Sequence, residues 1–125
     1  MSERSQHTAL AHAFKYALDG ILYAMRSQRN LKIELAVAVL ALIANTVLRL
    51  TPIEWAVILV LIGLVLVFEL LNTALETLVD LVTSDIHPLA KIAKDLGAGM
   101  VLLLALVSVI AGLIIYANAL IRLAG

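Results

Sequence analysis

Three long apolar runs, divided by short polar breaks and preceded by a mixed segment, set the pattern of this chain. The runs cover about residues 31–50, 53–71 and 97–119. At about 1.5 Å per residue, each is long enough to cross a hydrocarbon core roughly 30 Å thick. Ahead of them, from about His7 to Ser27, Leu10, Phe14, Ala17, Leu18, Ile21 and Met25 recur at helical spacing on one face. Lys15, Asp19 and Arg26 fall mostly off that face, so residues 7–27 are expected to form an amphipathic helix in the membrane interface. A plain anchor, or a helix packed on the bundle, fits the same spacing. The fold expected is all-α and integral to the membrane: an N-terminal amphipathic interfacial helix plus three transmembrane helices in an oligomeric bundle, with residues 1–125 forming one membrane-embedded domain.

The breaks predict where the elements end. Ser27-Gln28-Arg29-Asn30 reads as a polar hinge into the first run, which carries Glu34 near one end and Asn45 and Thr46 deeper. An intramembrane Asn usually hydrogen-bonds a neighbouring helix, which gives Asn45 a structural reading. Thr51-Pro52 is a tight turn, with Pro52 suited to the first turn of the next helix and Trp55 placed as an interfacial anchor. From Trp55 to Phe68 no polar side chain occurs, and Glu69 lies about 24 Å along the helix from Ile53, at the opposite interface. The helix is expected to reach about Leu81 and break at Val82-Thr83-Ser84-Asp85, where Ser84 or Asp85 can cap a further helix that starts near Pro88. Within Leu96 to Ala117, Ser108 is the polar interruption, and Gly97 and Gly99 permit close backbone approach.

Composition sharpens this picture. Hydrophobic residues make up 63% of the 125, charged residues 14%, and the mean hydropathy is +1.07, too apolar for an ordinary soluble domain. The absence of cysteine excludes disulfides and thiolate chemistry. The net charge of zero hides an asymmetry: Arg4, Lys15, Arg26, Arg29 and Lys32 precede the first run, and Lys91 and Lys94 lie between the second and third. By the positive-inside rule the N-terminus and the Glu69–Asp95 connection are expected in the cytoplasm and the C-terminus outside, with no cleavable signal. No nucleic-acid partner is expected.

The candidate chemistry lies in that connection. Glu69, Asn72, Glu76 and Asp80 are spaced by 3, 4 and 4 residues and share an arc of roughly 80° on one helix face. Glu69 and Glu76 are about 10 Å apart along the axis and Glu69 and Asp80 about 16 Å, so the stripe runs from lipid depth into solvent instead of converging on one point. A reaction between a lipid group and a charged soluble molecule needs such an arrangement. If the soluble partner is a nucleotide, these acids require a divalent metal: Glu76 and Asp80 are suitable donors for Mg²⁺, and Lys94 can steady a phosphate. No Walker loop, dinucleotide-binding glycine loop or soluble-kinase catalytic loop is present. Three other readings stay open on the residues alone. The acids can be salt-bridged bundle ends of a non-catalytic membrane scaffold, or part of an ion or proton pathway, although the latter usually places its carboxylates near the midplane. A di-iron bundle lacks its E-x-x-H pair, and His87, eleven residues beyond Glu76, reads as a helix cap or a residue behind a ligand and not as a metal ligand itself.

The pattern Glu69-x-x-Asn72-x-Ala74-x-Glu76-x-x-Val79-Asp80, followed by His87 and Ala93-Lys94-Asp95-x-Gly97, resembles the signature of the prokaryotic diacylglycerol kinase family, which includes the undecaprenol kinases. Ile53-Glu54-Trp55 and the segment His87 to Asp95 look more like the undecaprenol kinase branch. The resemblance spans essentially the whole chain. It implies a homotrimer in the inner (cytoplasmic) membrane that uses ATP with Mg²⁺ to phosphorylate a lipid hydroxyl, undecaprenol or diacylglycerol. It further implies Glu69 as general base, Glu76 as metal ligand, and Asn72, Asp80, Lys94 and Asp95 at the nucleotide end, with Tyr16, Asp85 and His87 as weaker nucleotide contacts. One position departs from the pattern. Gln28 stands where many members carry a second metal-binding glutamate, so that Gln28 itself, Glu34 or the nucleotide phosphates must fill the place.

Overall fold

A computed structural model describes residues 3–125, with side chains from Gln6 onward. The described residues form four helices: α1 (Glu3–Ser27), α2 (Arg29–Val47), α3 (Pro52–Val82) and α4 (Pro88–Ala124). The last three are long and apolar enough to cross a membrane, which agrees with the three expected spans. α3 packs most extensively on α4 and less on α2, while α1 touches α2 and α3.

The breaks are tighter than the polar hinge predicted. Gln28 is the one residue between α1 and α2, because Ser27 Oγ donates back to the Tyr23 carbonyl at 2.8 Å and the Gln28 N–H bonds the Ala24 carbonyl, completing α1 to its last residue. The first apolar run also ends earlier than residue 50. The Arg49 N–H bonds the Thr46 carbonyl and the Leu50 N–H the Asn45 carbonyl, a Schellman closure in which Arg49 takes the left-handed conformation (φ 52°) that glycine usually supplies. Thr51 then caps α3 in a reciprocal box: its hydroxyl accepts from the Glu54 N–H, and the Glu54 carboxylate accepts from the Thr51 N–H at 2.8 Å. Pro52 sits in the first turn as expected. Glu54 also receives both guanidinium nitrogens of Arg122, at 2.7 and 2.8 Å, which ties the start of α3 to the end of α4.

Beside this tie, Leu50, Ile58 and Ala119 form a closed apolar cluster, with Trp55, Ile62 and Tyr116 packed against it. Trp55 is therefore half-buried against the bundle and not simply an exposed anchor. Asn45 is fully buried, and its amide oxygen accepts from the Tyr116 hydroxyl of α4 at 2.8 Å, the interhelical bond expected of it. Elsewhere the chain covers little of itself. Only 17% of the apolar window of α2, and 11% of those of α3 and α4, is buried within the chain, so most of their apolar surface must meet lipid or other protein. α1 leaves Leu10, Phe14, Leu18 and Ile21 exposed and buries only Ala24 among its described residues.

Candidate active site at the polar ends of α3 and α4

Helix α3 continues through the polar stripe without a break, so the acids keep the common face that their spacing predicts. The stripe is graded in burial. Glu69 is 2% exposed and Asn72 8%, Glu76 is half-buried, and Asp80 stands in solvent. Asn72 is covered by α4. Gly97 faces Asn72 so closely that a Cβ there would collide with the amide oxygen, and Gly99 has open space around it. Of the two glycines, only Gly97 serves the close approach within this chain. Asn72 Oδ1 is buried and has no hydrogen-bond partner, and Thr73 turns its hydroxyl onto the Glu69 carbonyl at 2.9 Å.

Beyond Asp80 the chain turns back through Thr83–His87, with the Asp85 N–H bonded to the Thr83 hydroxyl. The cap of α4 is neither Ser84 nor Asp85. His87 fills that place, its Nδ1 accepting from the Leu89 N–H at 3.1 Å, because Pro88 at the first helical position makes the residue before it the last with extended backbone. An Nδ1 that accepts leaves Nε2 carrying the proton, free to donate outward. This turn and the first turns of α4 enclose a cavity of about 370 Å³ lined by Asp80, Asp85, His87, Lys91, Lys94 and Asp95. Five of the residues expected at a nucleotide end are thus brought together, and Lys91 joins them. Its position one turn before Lys94, on the same helix face, was readable from the sequence.

Within the cavity the charges pair: Lys94 with Asp80 at 2.5 Å, and Lys91 with Asp95 one turn along α4. Both pairs are substantially exposed, so they contribute little to stability and are easily exchanged for other partners. Glu69 and Glu76 are different. Among the described residues neither has a lysine or arginine partner. The charge of Glu76 acts on Glu69 along α3, and that of Glu69 acts on Glu34 of the facing helix α2. Glu34 Oε2 is itself buried and unpartnered.

The other expected residues lie outside the cavity. Tyr16 is exposed on α1, its ring 6.3 Å from that of His12, and Gln28 is half-buried at the start of α2 with no side-chain capping bond. No group of three or more acidic or histidine side chains within the described residues is close enough to hold a metal ion by itself. The donors fit Mg²⁺ in its usual form instead, in which one or two carboxylates share the ion with substrate phosphates, and the unpaired carboxylate of Glu76 is the available anchor.

The family model for prokaryotic diacylglycerol kinase matches residues 15–116. The chain is 42% identical over 113 residues to an undecaprenol kinase of Bacillus subtilis, covering 90% of this chain and 92% of that protein. It is 48% identical over 101 residues to a diacylglycerol kinase of Synechocystis, covering 80% of this chain and 58% of that longer protein. A diacylglycerol kinase of Escherichia coli K12 is 30% identical over 103 residues, with 82% of this chain and 84% of that protein covered. With these matches running from α1 to the C-terminal half of α4, the chain belongs to the prokaryotic diacylglycerol kinase family, a family of lipid kinases.

Proposed function

We propose that the protein transfers the γ-phosphate of ATP to the hydroxyl of a membrane lipid, undecaprenol or diacylglycerol, at the cytoplasmic face of the inner membrane. In this reading Glu69 takes the proton from the lipid hydroxyl as its oxygen bonds the γ-phosphorus, and the bond from that phosphorus to the β–γ bridging oxygen breaks to release ADP. Glu76 would anchor Mg²⁺, which offsets the triphosphate charge. Lys94 leaves Asp80 to meet phosphate, Asp95 and Asp85 lie beside it, and His87 offers its outward N–H. Asn72, between Glu69 and Glu76 on the same face, contributes an amide with an unspent oxygen. Gln28 and Tyr16, on elements outside the cavity, are the outlying nucleotide contacts.

The observation that carries the proposal is the unpaired, buried carboxylate of Glu69. A scaffold would account for Asp80 and Asp95, which are paired with lysines, but it gives no reason to keep Glu69 buried beside two other acids without a cation. An ion pathway would need polar groups through the far half of the bundle, where Leu50, Ile58 and Ala119 pack shut. The large uncovered apolar surface of α2 to α4 supports an oligomer in which neighbouring copies complete the site, and the family resemblance alone makes the number of copies three. The test is transfer of labelled γ-phosphate to undecaprenol and to diacylglycerol in mixed micelles containing Mg²⁺. The proposal predicts transfer to at least one of them, and transfer to neither by the folded, assembled protein would refute it. ATP-independent ion flux in proteoliposomes would favour the pathway instead.

A further inference from the structure

Gly97 of α4 has no room for a side chain. A Cβ there would lie 2.3 Å from Asn72 Oδ1 and 3.4 Å from Asn72 Cγ, with Leu75 Cδ1 next at 3.7 Å. The Asn72 oxygen thus occupies the space that a methyl group on Gly97 would take, and it is buried there with no N–H or O–H to meet it. Which end of the amide faces α4 follows from its chemistry. Turned the other way, Nδ2 would bury both of its N–H bonds against glycine and leucine hydrocarbon, whereas the oxygen leaves one acceptor, lodged against the Cα–H groups of a glycine. Nδ2 is therefore left on the side away from α4. Among the described residues no acceptor takes it, and unlike the oxygen it is not sealed from solvent. Along the axis of α3, Glu69 lies about 4.5 Å to one side of Asn72 and Glu76 about 6 Å to the other. The neighbouring Thr73 hydroxyl is already spent on the Glu69 carbonyl.

We propose that Gly97 is a positioning residue: by admitting the Asn72 oxygen, it aims the Nδ2 donors at the interval between Glu69 and Glu76, where they bond an equatorial oxygen of the phosphoryl group in transfer. The inference rests on the lipid kinase reading and deepens it by fixing the orientation of one amide. Charge spreads over those equatorial oxygens in the transition state, and the two ionised carboxylates beside them are acceptors only. Lys94 approaches phosphate from the level of Asp80, about 12 Å further along α3, so Asn72 supplies the donor at the level of the base. A donor held in place before the reaction stabilises that charge without reorganising. The other role open to the amide is to ligate Mg²⁺ through its oxygen, which would have to leave Gly97 to do so.

Gly97→Ala separates positioning from packing. The atom in the way is the tip of a side chain, so the added methyl is met by turning the amide and not by parting α3 from α4. Oδ1 must retreat by about 1 Å to reach ordinary contact, and a misplacement of that size costs up to about a hundredfold in rate. Gly97→Ala should therefore lower kcat about 10–100-fold, with the ATP KM, the lipid KM and the Mg²⁺ activation curve each within about twofold of the wild type. In an Asn72→Ala background the methyl has no amide to displace, and Gly97→Ala should change kcat less than about twofold. Equal losses in both backgrounds overturn the proposal, as does wild-type kcat in the single variant. A Gly97→Ala protein that fails to assemble while the double variant assembles would show that the contact serves packing, and would overturn it too.

A second readout does not depend on turnover. Equilibrium binding of ADP with Mg²⁺ and aluminium fluoride, a mimic of the planar phosphoryl group, should weaken at least about tenfold in Gly97→Ala and in Asn72→Ala, while binding of ADP with Mg²⁺ alone stays within about twofold. Asn72→Asp keeps the shape and an oxygen but replaces the donors by a carboxylate, and should weaken the mimic at least as much. A changed Mg²⁺ dependence in Asn72→Ala, or tighter Mg²⁺ binding in Asn72→Asp, would assign the amide to the metal and overturn the proposal. Absence of phosphate transfer by the wild type would refute the kinase reading itself, an outcome distinct from all of these.

Discussion

Replacing Tyr116 by Phe removes one hydroxyl and tests how the far end of the bundle is held. The hydroxyl donates to Asn45 Oδ1 at 2.8 Å, and Asn45 is wholly shielded from solvent with its Nδ2 already unpartnered. The variant leaves a buried amide with no side-chain partner. In water-soluble proteins such a loss costs about 1–3 kcal/mol. Between membrane helices the measured range is lower, averaging about 0.6 and reaching about 1.7 kcal/mol, because the separated helices find other partners. Complete burial of Asn45 puts the expected cost in the upper part of that range, about 1–1.5 kcal/mol. Asn45→Leu keeps the branched shape and removes the polar group, so the double variant should recover part of the loss. Equilibrium unfolding of the detergent-solubilised protein by SDS, run on the wild type and the three variants, gives the coupling energy directly. A coupling below about 0.3 kcal/mol would refute the assignment of this bond as the clamp between α2 and α4.

Other substitutions separate roles that the structure superimposes. His87→Ala should destabilise by about 1 kcal/mol through the lost cap, and His87→Asn, a good cap, should restore stability. Any rise in ATP KM that persists in His87→Asn, read by initial-rate kinetics, belongs to the outward Nε2. Arg49→Gly should stabilise the chain by about 1 kcal/mol in SDS unfolding, since glycine takes the left-handed position without a Cβ penalty. Glu76→Gln should shift the Mg²⁺ activation curve to higher concentration by about tenfold or more, with the lipid KM nearly unchanged. An unaltered Mg²⁺ curve would remove Glu76 from the metal site.

Much of this architecture was legible in the sequence because membrane burial demands long apolar runs and helical spacing puts Glu69, Asn72, Glu76 and Asp80 on one face. The Thr51-Pro52 cap and the Asn45 bond could be anticipated for the same local reasons. The boundaries were not. The hinge contracted to Gln28 because backbone bonding back to Ala24 completes the helix despite polar side chains, and the first run closed early through a left-handed arginine that no residue preference announces. Residue type allowed a cap at Ser84, Asp85 or His87, and the Pro88 that follows His87 was the signal that decides between them. The Glu54–Arg122 tie and the Glu34–Glu69 proximity depend on how α2, α3 and α4 face each other, a tertiary fact absent from the spacing within any one helix. For the candidate site, the sequence named the acids and Lys94 but could not show that the lysines neutralise Asp80 and Asp95 and leave Glu69 and Glu76 unpaired.

That division is the centre of the account, and the Glu69→Gln variant tests it most directly. Glutamine keeps the shape of the side chain and removes the base. The measurement is the transfer of labelled γ-phosphate to undecaprenol and diacylglycerol, alongside equilibrium binding of ATP with Mg²⁺ to the same preparation. The account predicts a fall in kcat of about 10²–10⁴-fold, with nucleotide affinity within about twofold of the wild type. Wild-type turnover in Glu69→Gln would contradict it.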